Sequence, residues 1–191
     1  VHLATPSPLD FMTMTGMDTS DYGPDEQHKL ARMAHLMTEE TGYMMLQKSK
    51  PQTPALALND SPAGLLGWIV EKRRTWSDCG GDVEKRFTRD ELIDTVMIYW
   101  VTGSYHTSAR YYYEAAHKPW RPEHEGLPVV TAPTALAIFP RELTQPARRW
   151  AERYYNLQQW SEMDAGGHFA PMEEPEALVA DLRKFFRGRR G

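Results

Sequence analysis

Cysteine is almost missing from this chain: Cys79 is the single one in 191 residues. One thiol excludes an intrachain disulfide framework and a multi-cysteine metal site, and it fits a reducing, cytoplasmic setting. Long apolar runs are missing too. No stretch reaches the ~18 consecutive apolar residues that a membrane-spanning helix needs, and no signal-peptide pattern opens the chain. There is no excess of positive charge. The formal net charge is −4, which gives no support to broad nucleic-acid binding, and the basic ending "RKFFRGRRG" reads as a solvated tail. Internal repeats and low-complexity segments are absent. His28, His35, His106, His117 and His124 are scattered through helical or turn segments without the spacing of a metal motif, so they read as surface or packing residues.

Hydrophobic residues make up 41% of the chain, enough to bury a core. The length suggests one domain, or one with a small insertion. The start, "VHLATPSPLDF", has no Met and reads as the end of a strand whose beginning lies elsewhere. Residues 1–27 are loop-like, and a helix is expected over about 25–41 with Leu30, Met33, Ala34 and Met37 on one face, ended by Gly42. In "NDSPAGLLGWIVEKRRTW" Asp60 or Ser61 can cap a helix that carries Pro62 in its first turn. "SDCGGDVEKRFT" reads as a loop. Thr88 and Glu91 then have the spacing of a capping box for "RDELIDTVMIYWVTGS", and "SARYYYEAAHK" continues helically. Roughly 25–116 is therefore helical, and 117–127 is turn-rich.

The texture then changes. "LPVVTAPTALAIF" is strand-like, with Pro133 marking an interruption or an edge. "TQPARRWAERYYN" has Trp150, Tyr154 and Leu157 at helical spacing, and "LQQWSEM" reads as a short strand ending at Met163. "EEPEALVADLRKFFR" closes the chain as a helix with Leu178, Leu182, Phe185 and Phe186 facing inward. Strand, helix, strand, helix is the pattern of a parallel α/β sheet. Two strands cannot make a covered parallel sheet alone, so the sheet is expected to continue in polypeptide outside this chain.

Chemistry concentrates at the carboxyl ends of those two strands, the edge where open α/β sheets collect their functional residues. In "DAGGHFAPMEEPEAL" the backbone turns through Gly166 and Gly167 and delivers His168 there. In "AIFPRELTQP" Glu142 lies just past the preceding strand. If the strands are neighbours, Glu142 can orient His168 through Nδ1–H and stabilise its imidazolium form. The plain alternatives are a histidine that caps the next helix and a solvated glutamate that opens one.

Four segments carry a family resemblance: "GYMMLQKSKPQTPALALNDSPAGLLGWIVEKRRTWSD", "YWVTGSYHTSARYYYEA", "FPREL" and "GGHFAPMEEPEALVADLRKFF". Together they resemble the C-terminal half of epoxide hydrolases of the microsomal type, which are α/β-hydrolase-fold enzymes with a helical cap. The resemblance implies an α/β fold made of three parts: 1–15, the end of a core strand and a linker; 16–126, the helical cap; and 127–191, the last strands and helices of the parallel sheet. It implies His168 as general base and Glu142 as its acidic partner. It also implies Tyr43 and Tyr112 as two cap phenols that hold the epoxide oxygen, where alkoxide charge develops on ring opening. Trp68, Trp100 and Met44 are candidates for the substrate pocket, although aromatics on a helix face more often pack a core. Glu152 and Asp164 are the alternative carboxylates, because the strand before Glu142 departs from the family's Val-Pro-Thr-Gly. No cofactor or metal is implied.

The family nucleophile, an aspartate in a Gly-Gly-Asp-Trp-Gly elbow, has no match. Gly80-Gly81-Asp82 follows a helix instead of a strand and has Glu84 where the elbow needs a small residue. No serine stands in G-x-S-x-G. The expected partner is thus an upstream N-terminal half that carries the aspartate, joined through a core-like interface, with a small epoxide as substrate and self-association into a homo-oligomer left open. The competing readings are an inactive hydrolase-like binding or scaffold subunit, and a related ester hydrolase or dehalogenase.

Overall fold

The computed structural model of the chain describes residues 19–118 and 124–189. The expectation for residues 1–15, and part of the turn-rich 117–127 segment, lie outside these. The described residues divide between two compact units: one takes in 19–35, 76–78 and 124–189, the other 36–75 and 79–118.

The first unit is built on two strands, β1 (Val130–Ile138) and β2 (Tyr155–Glu162), paired in parallel with Leu136 opposite Trp160 and Ile138 opposite Glu162. The register slips on both sides of Pro133 and Thr134, where proline offers no N–H to the ladder. Side chains of β1 alternate between two cores, as the two-residue strand repeat requires. Leu136 and Ile138 join Tyr22, Met33, Trp150 and Ala151 on one face, supplied by α1 (Gln27–Glu39) and α7 (Arg148–Tyr154). Ala137 and Phe139 join Ala170, Met163 and Leu178 on the other, next to α8 (Ala170–Glu173) and α9 (Pro175–Phe186). Gln159 and Ser161 of β2 bind the Asp181 carboxylate at 2.9 and 2.6 Å, which anchors α9.

Residues 19–35 pack with the strands. Three sequence expectations change here. On α1 the buried positions are Lys29, Met33 and Leu36, while Ala34 and Met37 are exposed. Helix α7 stops at Tyr154, and Leu157 sits in β2 opposite Thr134; Tyr155 already has extended backbone angles, and its aromatic ring packs against Trp150. On α9 only Phe185 is fully buried. Val179, Leu182 and Phe186 form an exposed stripe, because the described strands cover one side of that helix.

The second unit is helical: α2 (Gly42–Ser49), α3 (Gln52–Asp60), α4 (Pro62–Trp76, whose last residue belongs to the first unit), α5 (Arg89–Thr102) and α6 (Tyr105–His117). Gly42 opens α2 as well as following α1. Ser61 Oγ caps α4 by accepting from Gly64 N–H at 3.0 Å. Thr88 and Glu91 form the reciprocal capping box of α5, and Gly103, at φ +59°, ends it. Its core joins Ala55, Leu65, Val96, Tyr105 and Ala109. No helix among the described residues is long and apolar enough to cross a membrane.

Two outcomes are expected. Phe139→Ala, at a side chain with no exposed surface, should cost about 3–5 kcal/mol, read as a lower urea midpoint at unchanged slope. Burial pushes the Tyr22 phenol up to about 12. An unfolded phenol ionises at about 10, so the folded state loses stability as pH rises from there towards 12. Tyr22→Phe should flatten that alkaline decline in denaturation curves.

Candidate functional site

The ladder between the strands does not stop at their ends. Met163 N–H donates to Ile138 C=O at 2.9 Å, and Arg141 N–H to Gly166 C=O at 3.0 Å, in a further parallel bridge between Arg141 and Gly167. That extension brings the next residue on each side together. His168 Nδ1 lies 2.8 Å from Glu142 Oε1. A carboxylate oxygen accepts, so Nδ1 carries the proton and Nε2 is the nitrogen able to take one up. The Glu142 side chain is 2% exposed and that of His168 21%: the acid is enclosed, and the base still reaches solvent.

Backbone contacts fix the acid in place. Glu142 Oε1 also accepts from Leu143 N–H at 2.6 Å. Arg32 of α1 donates to the carbonyl oxygens of Glu142 (3.0 Å) and Arg141 (2.5 Å), and Gln145 Nε2 donates to Phe139 C=O at 2.6 Å. The other carboxylates considered lie elsewhere: Glu152 is exposed and pairs with Arg148, and Asp164 is exposed.

The histidine turn rests on residues 76–78. His168 N–H donates to the carbonyl of Trp76, the last residue of α4, at 2.9 Å, satisfying an acceptor that the helix end leaves open. The Trp76 ring stands edge-on to the imidazole with centroids 5.3 Å apart. Gly166 has φ +104° and donates to Asp78 Oδ2 at 3.1 Å. Gly167 has no room for a side chain: a Cβ there would sit 2.6 Å from Trp76 O. Both glycines of the Gly-Gly-His turn are therefore required, one by its dihedral angle and one by the approach of another backbone.

Tyr43 of α2 and Tyr112 of α6 meet in the helical unit, edge-on with ring centroids 5.6 Å apart, and their hydroxyls share a hydrogen bond. Burial is the main cause that raises both phenols above their ordinary ionisation range; for Tyr43 the adjacent Tyr112 and Glu40 add to it. Both remain protonated donors at neutral pH. Tyr111 is exposed and Tyr113 stacks on His117, so Tyr112 alone of the three packs on Tyr43. Met44 is buried beside Tyr43, and Trp68 and Trp100 pack against the helical core, Trp68 edge-on to Tyr105 at 6.3 Å. Asp82 caps the short turn Val83–Lys85. No group of three or more metal-ligating side chains occurs among the described residues.

Sequence reasoning missed Arg32, Asp78 and Glu173. The signals were faint: an arginine on an otherwise apolar-patterned helix, an aspartate just after α4, and the first of two glutamates in "MEEPE".

A two-strand parallel edge that presents a carboxylate–histidine pair, together with a helical unit, defines the C-terminal part of an α/β-hydrolase fold. No protein-family model matches the chain. It is 40% identical over 159 residues to epoxide hydrolase 1 of Sus scrofa, covering 79% of this chain and 35% of that protein. It is 40% identical over 174 residues to juvenile hormone epoxide hydrolase 2 of Ctenocephalides felis, covering 84% and 37%. The crystal structure of juvenile hormone epoxide hydrolase from the silkworm Bombyx mori superposes with TM-score 0.78 at 31% identity, over 98% of this chain and 48% of that one. The relatives that the chain matches are therefore epoxide hydrolases, in sequence and in fold. It spans a little over a third of the length of the curated relatives it matches.

The contrast between two glycines tests the turn. Gly167→Ala should destabilise by about 1–3 kcal/mol in urea unfolding, because backbone meets the new Cβ. Gly67→Ala, inside α4 with nothing within 4 Å, should stabilise by about 0.5–1 kcal/mol.

Proposed function

We propose that this chain supplies the base, the acid and the epoxide-binding phenols of an epoxide hydrolase, and that an aspartate outside these 191 residues supplies the nucleophile. The observation that carries this is the 2.8 Å contact between His168 Nδ1 and Glu142, in a chain that also pairs two protonated phenols.

The aspartate attacks an epoxide carbon. The C–O bond breaks, and the departing oxygen takes a proton from a phenol, with Tyr43 and Tyr112 stabilising its charge. The product is an ester between enzyme and substrate. His168 Nε2 then takes a proton from water, the hydroxide adds to the ester carbonyl, and the acyl C–O bond breaks; the proton of the added hydroxyl passes to the leaving alkoxide, which releases a vicinal diol and regenerates the carboxylate, and the imidazolium proton returns through solvent to the phenolate. Glu142 holds the Nδ1–H tautomer through both states and stabilises the imidazolium that forms. Trp68, Trp100 and Met44 are proposed to line the substrate cleft, and the cap to span the helical region within 16–126. The exposed stripe Val179, Leu182 and Phe186 is the surface that the remaining sheet and its helices would cover. The paired phenols favour an epoxide over a halide or a simple ester as substrate, because two proton donors suit a developing alkoxide.

With labelled epoxide in the intact protein, His168→Ala should accumulate the ester, with the label on an aspartate other than Asp82; continued turnover at the wild-type rate would remove His168 from this role. Tyr43→Phe and Tyr112→Phe should each slow ester formation, seen in single-turnover kinetics, by about 10²–10³-fold. An unchanged rate would remove that phenol.

A further inference from the structure

Glu173 is a buried carboxylate with no part in the steps above. It ends α8, is 8% exposed, and uses one oxygen on each of two distant amides. Oε1 accepts from Phe169 N–H at 2.9 Å, and Oε2 from Asp78 N–H at 2.7 Å. Phe169 follows His168 directly, and Asp78 ends the segment on which the histidine turn rests. The turn meets that segment at three further points: Gly166 N–H on Asp78 Oδ2, His168 N–H on Trp76 O, and Gly167 against the backbone of Trp76–Asp78. Glu142 thus holds the imidazole ring, while the backbone beneath the ring is held by residues 76–78, with Glu173 bridging the two segments.

We propose that Glu173 is a positioning residue for His168, acting through the Phe169 and Asp78 amides to fix the backbone that aims the imidazole at Glu142. This rests on the reading of His168 as the base. The chemistry of the site calls for a carboxylate. Two N–H donors need two acceptors, and an ionised carboxylate provides two and no donor, whereas a carboxamide provides one acceptor and turns an NH2 group on the other amide. Hydrogen bonds from backbone N–H to a charged oxygen are also the stronger kind, and they make its burial tolerable.

Three measurements on the intact protein decide this. In the wild type, native-state hydrogen exchange should show the Phe169 and Asp78 amides protected, and the His168 Nδ1 proton should give a downfield NMR resonance that disappears in Glu142→Gln. In Glu173→Gln the protection of those two amides should fall at least about tenfold, and the Nδ1 resonance should broaden or move. Ester hydrolysis should slow by up to about 100-fold, while ester formation is unchanged, so that the ester accumulates. The proposal is overturned if Glu173→Gln leaves both the resonance and the hydrolysis rate at wild-type values. Should that variant not fold, exchange of the wild-type Phe169 and Asp78 amides at the rate of exposed ones overturns it instead. If no ester forms in the wild type either, the epoxide reading fails, and the exchange and NMR results still decide the role of Glu173.

Discussion

The hydrogen bond from His168 to Glu142, at 2.8 Å, exists only because two parallel strands keep their register beyond their last paired residues. The backbone of each partner is held by residues other than its partner. Glu142 is set by Arg32, Gln145 and its own backbone, and His168 by the carbonyl of Trp76 and two glycines in contact with neighbouring elements. This division matters physically. A carboxylate that is 2% exposed would be costly if it had to find its partner after folding; here the fold delivers both to the same point. The imidazole then has one settled tautomer, and the nitrogen proposed to act is the one facing away from the acid.

The two parts of the proposed chemistry use opposite electrostatic settings. The phenols are half-buried in the helical unit, which disfavours their ionisation, so they stay protonated at neutral pH as the proposed donor role requires. The histidine is kept partly open, with its charge on protonation matched by an enclosed carboxylate. Burial suppresses ionisation of the phenols, whereas the imidazole keeps a carboxylate against its Nδ1.

Much of this was legible in the chain itself. The capping box of Thr88 and Glu91, the Ser61 cap and the alternation of strands and helices after residue 127 are local signals, set by neighbours within a few residues, and the structure carries them. The juxtaposition of Glu142 with His168 followed from a single added assumption, that the two strands are adjacent. Leu157 misled because a seven-residue spacing from Trp150 fits a helix as well as a strand that follows one. The inward face of α9 misled because apolar spacing reports that a helix has an apolar stripe, not whether the surface that covers it is within these residues. Arg32 and Glu173 were out of reach because the partners that matter here are backbone groups, which leave no trace in residue type, and Asp78 because Gly166 and Arg141 lie far from it along the chain.

The central claim is that His168 activates water against an ester and not against the epoxide itself. A single turnover in 18O-labelled water, with the intact protein in excess over substrate, separates the two. The account predicts a first diol without 18O, because the new hydroxyl oxygen comes from the carboxylate, with the heavy atom appearing in the enzyme's aspartate. A first diol carrying one 18O would contradict it.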